Sequence, residues 1–351
     1  MYNLISKNPF KKTPLFIAEI SANHNGSLLH AKKLIKIAKK YGADAVKLQT
    51  YTPDTLTIKS DKPGFKIRGG LWNGKTLWDL YAKAQTPFEW HKELFDYARK
   101  LKIICFSTPF DESAVDLLES LSCPFYKVAS FEINHIPLIK KIANTKKTII
   151  ISTGMANLHE IDLAYKVAKN NGAKEIILLY CVSNYPSKIS DFNFNNIGIL
   201  KERYKCKIGF SDHSTDNKVV AAAIAAGAEV IEKHIALDGQ KKGFDLIFSL
   251  RGKKIRDYAD TIRDTALLMG KKYFFRNKSE KKNLQFRRSI YAVSNIKKGE
   301  KFTKKNIRVI RPGLGAQPIY FEKIINRYSP IDIKKGFPLN KNLLTKLKLK
   351  I

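Results

Sequence analysis

The chain has 351 residues, 44% of them hydrophobic, enough for a barrel-sized core and a small second unit. No apolar run approaches the ~20 residues that span a bilayer, and residues 1–13 are polar and basic with no apolar leader segment after them, so a cytoplasmic protein without membrane contact is expected. Lys and Arg number 64 against 31 Asp and Glu, a formal net charge of +33; with no helix-turn-helix, zinc-finger or RNP-type aromatic motif beside it, the excess reads as a Lys-rich surface that favours a phosphorylated substrate, not as a nucleic-acid site.

Short β-branched runs alternate with amphipathic stretches from Leu15 to about Gly270. The expected strands are Leu15–Ser21, Ala45–Thr50, Ile103–Thr108, Phe125–Ser130, Thr148–Thr153, Glu175–Cys181, Lys207–Asp212 and Val230–Ile235. Helical periodicity falls between them, in Leu28–Tyr41, Pro87–Leu101, Ser113–Leu121, Ile161–Lys169 and Lys218–Ala226. Gly42-Ala43, Gly172-Ala173 and Gly227-Ala228 close three helices where a left-handed residue is useful. Eight strand–helix units over ~250 residues are what a closed (β/α)8 TIM barrel requires. An open doubly wound sheet is the alternative, but no Gly-rich nucleotide fingerprint supports it.

One connection is long. Between Tyr51 and Thr86 it carries Gly64, Gly69, Gly70, Trp72, Trp78 and Tyr81, with Phe88 and Trp90 just beyond. Long insertions on the strand-to-helix side of a barrel usually cover the active site. After Gly270 the pattern changes. The expected division is a barrel over 1–272, a charged linker over 273–285, and a small β-rich unit over 286–351 with Lys-Lys-Gly turns and an Arg311-Pro312-Gly313 bend. The cysteines Cys105, Cys123, Cys181 and Cys206 are scattered, with no CxxC pair, and read as reduced thiols.

The strand ends carry the chemistry. In a barrel these positions face the active site, and here they hold Glu19, Lys47, Gln49, Thr108, Lys127, Ser130, Glu132, Ser152, Asn184, Tyr185, Ser211, His213, Lys233 and His234. Ionisable groups recurring at nearly every strand end are not a packing accident. Lys47 and Lys127 lie inside otherwise apolar strands, and a buried ammonium needs an anionic partner. With the neighbouring hydroxyls they suit a ligand bearing a phosphate and a carboxylate; a lysine Schiff base remains open on chemistry alone. His213 and His234 end adjacent strands, so their imidazoles converge on one divalent ion, with Mn, Mg or Co suited better than a closed zinc site. His24, in the Asn23-His24-Asn25-Gly26 loop, is near the site without a role.

These segments resemble the sialic acid synthases over nearly the whole chain. The resemblance rests on Phe16-Ile17-Ala18-Glu19, Asn23-His24-Asn25-Gly26, Val46-Lys47-Leu48-Gln49-Thr50, Ser107-Thr108-Pro109-Phe110-Asp111, Tyr126-Lys127-Val128-Ala129-Ser130, Ile151-Ser152-Thr153-Gly154-Met155, Gly209-Phe210-Ser211-Asp212-His213-Ser214 and Ile231-Glu232-Lys233-His234. The tail from Phe286 looks like the antifreeze-like (SAF) domain that closes these enzymes. Gly69–Tyr81 and Thr86–His91 look like the pseudaminic acid branch. The resemblance implies a metal-dependent condensation of phosphoenolpyruvate with 2,4-diacetamido-2,4,6-trideoxy-L-altrose, in a domain-swapped homodimer. It implies Glu132, Lys127 and Glu19 as catalytic groups, His213 and His234 as metal ligands, and a substrate shell of Lys47, Gln49, Thr108, Lys127, Ser130, Ser152, Asn184, Tyr185, Ser211, Asp245 and Arg311. Two departures, Phe244 where a proline usually precedes the aspartate and Asn184 where a glutamate is frequent, fall on the sugar side. The rivals are an N-acetylneuraminate or legionaminate synthase, a Schiff-base aldolase, and a non-catalytic nucleic-acid or ice-binding protein.

Overall fold

The computed structural model describes residues 14–349 apart from 71 and 272. The basic stretch 1–13, expected to carry no leader, lies outside the described residues. The described chain divides after Gly270 into two compact units.

The first unit is a closed parallel barrel. Its strands are β1 (Leu15–Glu19), β2 (Ala45–Thr50), β3 (Ile104–Pro109), β4 (Phe125–Val128), β5 (Thr148–Ser152), β6 (Ile176–Cys181), β7 (Lys207–Asp212) and β8 (Val230–Ala236). They pair in chain order, and β1 pairs with β8 to close the ring. A two-residue strand, β9 (Leu250–Arg251), adds to the end of β8. The expected strands all appear. Three are shorter than expected at the C-terminal end: β5 by one residue, and β1 and β4 by two, because Ser21 and Ser130 start 3₁₀ turns, Ser21–His24 and Ser130–Glu132.

The helices that follow the barrel strands pack one face against this ring. In Leu28–Lys40 the buried residues are Ala31, Leu34, Ile35 and Ala38, the spacing of one helical face, and Ser27 caps the start by accepting the His30 N–H at 3.3 Å. Gly42, Gly172 and Gly227 take φ of +96°, +96° and +107°, which turns the chain from helix back to strand where a Cβ would be strained. The insert between β2 and its helix Phe88–Lys100 is structured, with short helices Pro53–Leu56 and Leu77–Ala84 and a bridge between Lys66 and Thr76.

The second unit pairs β10 (Ser289–Ala292) antiparallel with β11 (Ile307–Ile310) over its own core of Ile290, Phe302, Ile307, Ile324, Leu339 and Leu343. Within the stretch read as a linker, Ser279–Phe286 forms a 3₁₀ helix. No helix among the described residues is long and apolar enough to cross a membrane. Cys105, Cys123 and Cys181 are buried and all four cysteines are free.

Candidate active site

Side chains on a strand alternate between the two faces, so every second residue of a barrel strand points inward. On β1, β2, β4, β7 and β8 this brings Glu19, Lys47, Lys127, Ser211, Glu232 and His234 into one buried cluster. Lys47 Nζ lies 2.5 Å from Glu19 Oε2, donates to Thr108 Oγ1 at 3.0 Å and stands 3.9 Å from Glu232 Oε1. Lys127 Nζ is 3.4 Å from the same Glu232 oxygen, which also accepts from Ser211 Oγ at 3.2 Å. Gln49 donates to Glu19 Oε1 at 3.2 Å. Burial works against the charge on Glu232, but Lys127 and Lys47 outweigh it and hold the carboxyl down at about 2. Burial likewise works against the Lys47 ammonium, and Glu19 and Glu232 outweigh it and raise its pKa.

Beside the lysines is a pocket of hydroxyls. Ser130 Oγ accepts the Gly154 N–H at 3.2 Å and contacts Cys181 Sγ at 3.1 Å. A methyl group on Gly154 would fall 2.2 Å from Ser183 Oγ and 2.8 Å from Ser130 Oγ, so only glycine lets these groups converge. Ser152 Oγ is buried there without a hydrogen-bond partner. A buried hydroxyl left unpaired costs about 1–3 kcal/mol, and an anion's oxygen atoms would remove that cost. Glu132 follows in the same turn, with Oε2 buried and unpaired. Burial raises its carboxyl to about 7, against the opposing pull of Lys127.

His213 and His234 face each other with ring centroids 5.6 Å apart. His213 Nδ1 is engaged by the Val182 carbonyl at 3.0 Å, which orients that ring and keeps its Nε2 for a ligand, while His234 Nδ1 lies 3.4 Å from Asp245 Oδ2 and is buried without a hydrogen bond. Asp245 is in turn held by Ser21 Oγ at 2.5 Å. Burial pushes His213 down to about 4, the neutral form a metal requires. In the whole cluster three buried carboxyl groups, Glu19, Glu232 and Asp245, face two buried ammoniums, Lys47 and Lys127. That balance and the two imidazoles fit a divalent cation. No set of three or more His, Cys, Asp or Glu side chains among the described residues is arranged to hold one, so water or substrate oxygens would complete the shell.

Lys233, Asn184 and His24 make other contacts. Lys233, read with His234 as a strand-end group, points out of the barrel toward Asp212 and Tyr258, because neighbours on a strand cannot share a face. Asn184 is exposed and donates to Asp191 at 3.3 Å. Arg311 is an exposed residue of the second unit. His24 is buried, with its ring bonded to the Gly26 N–H and the Thr86 hydroxyl, and burial lowers it to about 4, so it is a neutral packing residue. Glu232 and Ser183 are the site residues that sequence reasoning did not assign. Alternation about His234 marks Glu232; nothing local marks Ser183, which sits in an irregular loop.

The insert reaches this site through aromatic contacts. Trp72 lies 6.2 Å from Tyr185, and Tyr185 lies 4.5 Å from His213. Trp72, Lys75 and Phe244 line a cleft of about 810 Å³ at the same end of the barrel. The Trp72 indole N–H is buried with no acceptor, whereas that of Trp78 donates to Asp54 at 2.9 Å within the insert itself. Tyr81 packs edge-on to Tyr51 at 5.9 Å.

A closed barrel with buried charges and unpaired hydroxyls at its strand ends defines a TIM-barrel enzyme. The chain belongs to the NeuB family, whose model matches residues 34–273, and residues 287–345 match the SAF domain. It is 41% identical over 325 residues to a pseudaminic acid synthase of Campylobacter jejuni subsp. jejuni serotype O:2, covering 93% of this chain and 95% of that one. To an N,N'-diacetyllegionaminic acid synthase of the same organism it is 39% identical, over 93% of this chain and 98% of the relative. Its fold is similar to the crystal structure of an N-acetylneuraminic acid synthetase from Leptospira borgpetersenii, with a TM-score of 0.70 and 28% identity over 78% of this chain and 91% of that one. The resemblance read from the motifs therefore holds.

Proposed function

We propose that this protein condenses phosphoenolpyruvate with 2,4-diacetamido-2,4,6-trideoxy-L-altrose to give pseudaminic acid and phosphate. The observation that carries this reading is the cluster of Lys47, Lys127, Ser130, Ser152 and Ser211 inside a NeuB barrel, a set suited to a ligand with both a phosphate and a carboxylate. In the reaction, C3 of phosphoenolpyruvate bonds to the sugar's aldehyde carbon, whose oxygen becomes a hydroxyl. Water then adds at the cationic C2, and the C–O bond to phosphate breaks to leave the ketone. Lys47, Lys127 and the hydroxyls hold the phosphate and carboxylate. Glu132 takes the proton of the attacking water. Glu19, Gln49, Thr108 and Asp245 orient the lysines and the sugar side, with Asn184, Tyr185 and Arg311 as further sugar candidates. A divalent ion, Mn²⁺, Mg²⁺ or Co²⁺, held by His213 and His234 would supply Lewis-acid polarisation of the aldehyde oxygen. We further infer a cytoplasmic homodimer in which each tail serves the other chain's site.

The reading is tested by mass analysis of products from phosphoenolpyruvate with a panel of amino sugars. Pseudaminic acid from the altrose substrate is the expected product. Equal or better turnover of N-acetylmannosamine, or of the legionaminate precursor, would transfer the assignment to those synthases. Metal depletion is a second check. Lewis-acid polarisation is worth several kcal/mol, so chelation should lower turnover about 100-fold or more, and Mn²⁺ should restore it. Full activity after chelation would refute the role given to the two histidines.

The aromatic insert should set sugar preference through Trp72, not through Trp78. An unpaired indole N–H is a ready donor for an acetamido carbonyl, while the N–H of Trp78 is already used. Trp72→Phe keeps the ring and removes the donor; it is expected to reduce kcat/KM for the diacetamido sugar by about 1–3 kcal/mol with little change in the KM for phosphoenolpyruvate. Trp78→Phe should leave the ratio between sugars as it is. Equal effects of the two substitutions on that ratio would sink this distinction.

A further inference from the structure

A second buried ionisable group lies directly behind the two histidines, on the outer face of β7 and β8, and the reaction as described does not use it. Asp212 and Lys233 are register partners across the two strands, each one residue before a histidine. Their side chains are 0% and 2% exposed, with Lys233 Nζ 3.2 Å from Asp212 Oδ2. Tyr258, on the helix Lys253–Met269 packed outside, donates its hydroxyl to the same oxygen at 2.7 Å. The other carboxylate oxygen accepts the Ser214 N–H at 2.7 Å, and Lys233 donates to the Ser214 carbonyl at 2.5 Å.

A buried ion pair contributes little net stability, since desolvating both charges offsets their attraction, and a well-packed apolar pair would fasten the helix to the barrel as well. What charges and directed hydrogen bonds add is geometry. Asp212 grips the peptide that joins His213 to Ser214, and Lys233 grips the next carbonyl. Because side chains alternate, anchoring 212 and 233 outward fixes His213 and His234 as they leave the strands inward.

We propose that Asp212, Lys233 and Tyr258 are positioning residues that hold His213 and His234 as a matched donor pair for one divalent cation. This rests on the reading that those two histidines are the cation's protein ligands. The partners behind metal-binding residues typically change metal affinity by about 10- to 100-fold when removed.

The test uses the full chain freed of metal, with Mn²⁺ titrated in and free Mn²⁺ followed by electron paramagnetic resonance. Tyr258→Phe, Lys233→Met and Asp212→Asn are compared with the native chain, alongside thermal unfolding. The expected result is Mn²⁺ binding weakened about 10- to 100-fold in the folded variants, with turnover returning toward the native kcat at high Mn²⁺. A structural staple would instead lower the melting temperature and leave the Mn²⁺ affinity of the folded protein unchanged, and that outcome overturns the proposal. Tyr258→Phe, which removes only one hydroxyl, keeps the test decisive where the charge variants do not fold. If the native chain itself binds no Mn²⁺, the metal reading fails and the proposal with it; native binding matched by all three variants defeats the positioning role alone.

Discussion

Glu132→Gln should lower kcat by about 10²–10⁴-fold, the range for loss of a positioned general base, while the KM for phosphoenolpyruvate stays near its native value. The side chain is close to isosteric, so the 3₁₀ turn Ser130–Glu132 keeps its shape and only the proton acceptor is lost. Burial raises the carboxyl to about 7, and Lys127 limits the rise. A base acts in its ionised form. The native kcat/KM, which reports the free enzyme, should therefore increase as pH rises through about 7 and level off above it. In Glu132→Gln the residual rate should lose that inflection. A profile that keeps it would assign the titration to another group and remove Glu132 from the water step.

Lys127→Met is expected to weaken phosphoenolpyruvate binding by about 2–5 kcal/mol, as for loss of a buried charged partner. The Lys127 side chain is 3% exposed, so bulk solvent would not replace it. Two consequences separate this from general damage. Removing Lys127 leaves Glu232 with the more distant Lys47 ammonium, at 3.9 Å, and the Ser211 hydroxyl, so the single variant should also melt earlier. Adding Glu232→Gln should recover much of the stability, because the uncompensated carboxylate is gone, without recovering phosphoenolpyruvate affinity. Binding is measured by calorimetry and stability by thermal unfolding. Borohydride treatment in the presence of substrate should leave Lys127 unmodified. A trapped adduct there would replace the charge role with imine chemistry.

The buried lysines also mark where inference from sequence stopped short. Their burial implied an anionic partner, and phosphoenolpyruvate was the partner expected. In the fold each already has a carboxylate, Glu19 for Lys47 and Glu232 for Lys127. The substrate therefore enters a site that is largely charge-compensated, next to hydroxyls that are not. β8 explains why Glu232 was passed over. Its run Val230–Ala236 places Glu232, Lys233 and His234 in succession, and a reading by nearness to the strand end takes Lys233 and His234 and leaves out Glu232. Two-residue periodicity allows either Glu232 with His234 or Lys233 alone to face inward, and His234 decides between them.

The barrel itself was legible because it is written in local terms. Eight β-branched runs, amphipathic stretches between them and Gly-Ala turns each reflect short-range physics, so strand bounds agree to within about two residues. Polar residues at the strand ends were legible for the same reason: the fold class dictates which end carries chemistry. Only the tertiary structure could pair Lys127 with Glu232 across 105 residues, seat Ser183 against Gly154, or distinguish the unpaired N–H of Trp72 from the engaged one of Trp78. Those facts depend on which strands become neighbours when the ring closes and on how an irregular loop packs, and neither leaves a periodic trace in the sequence.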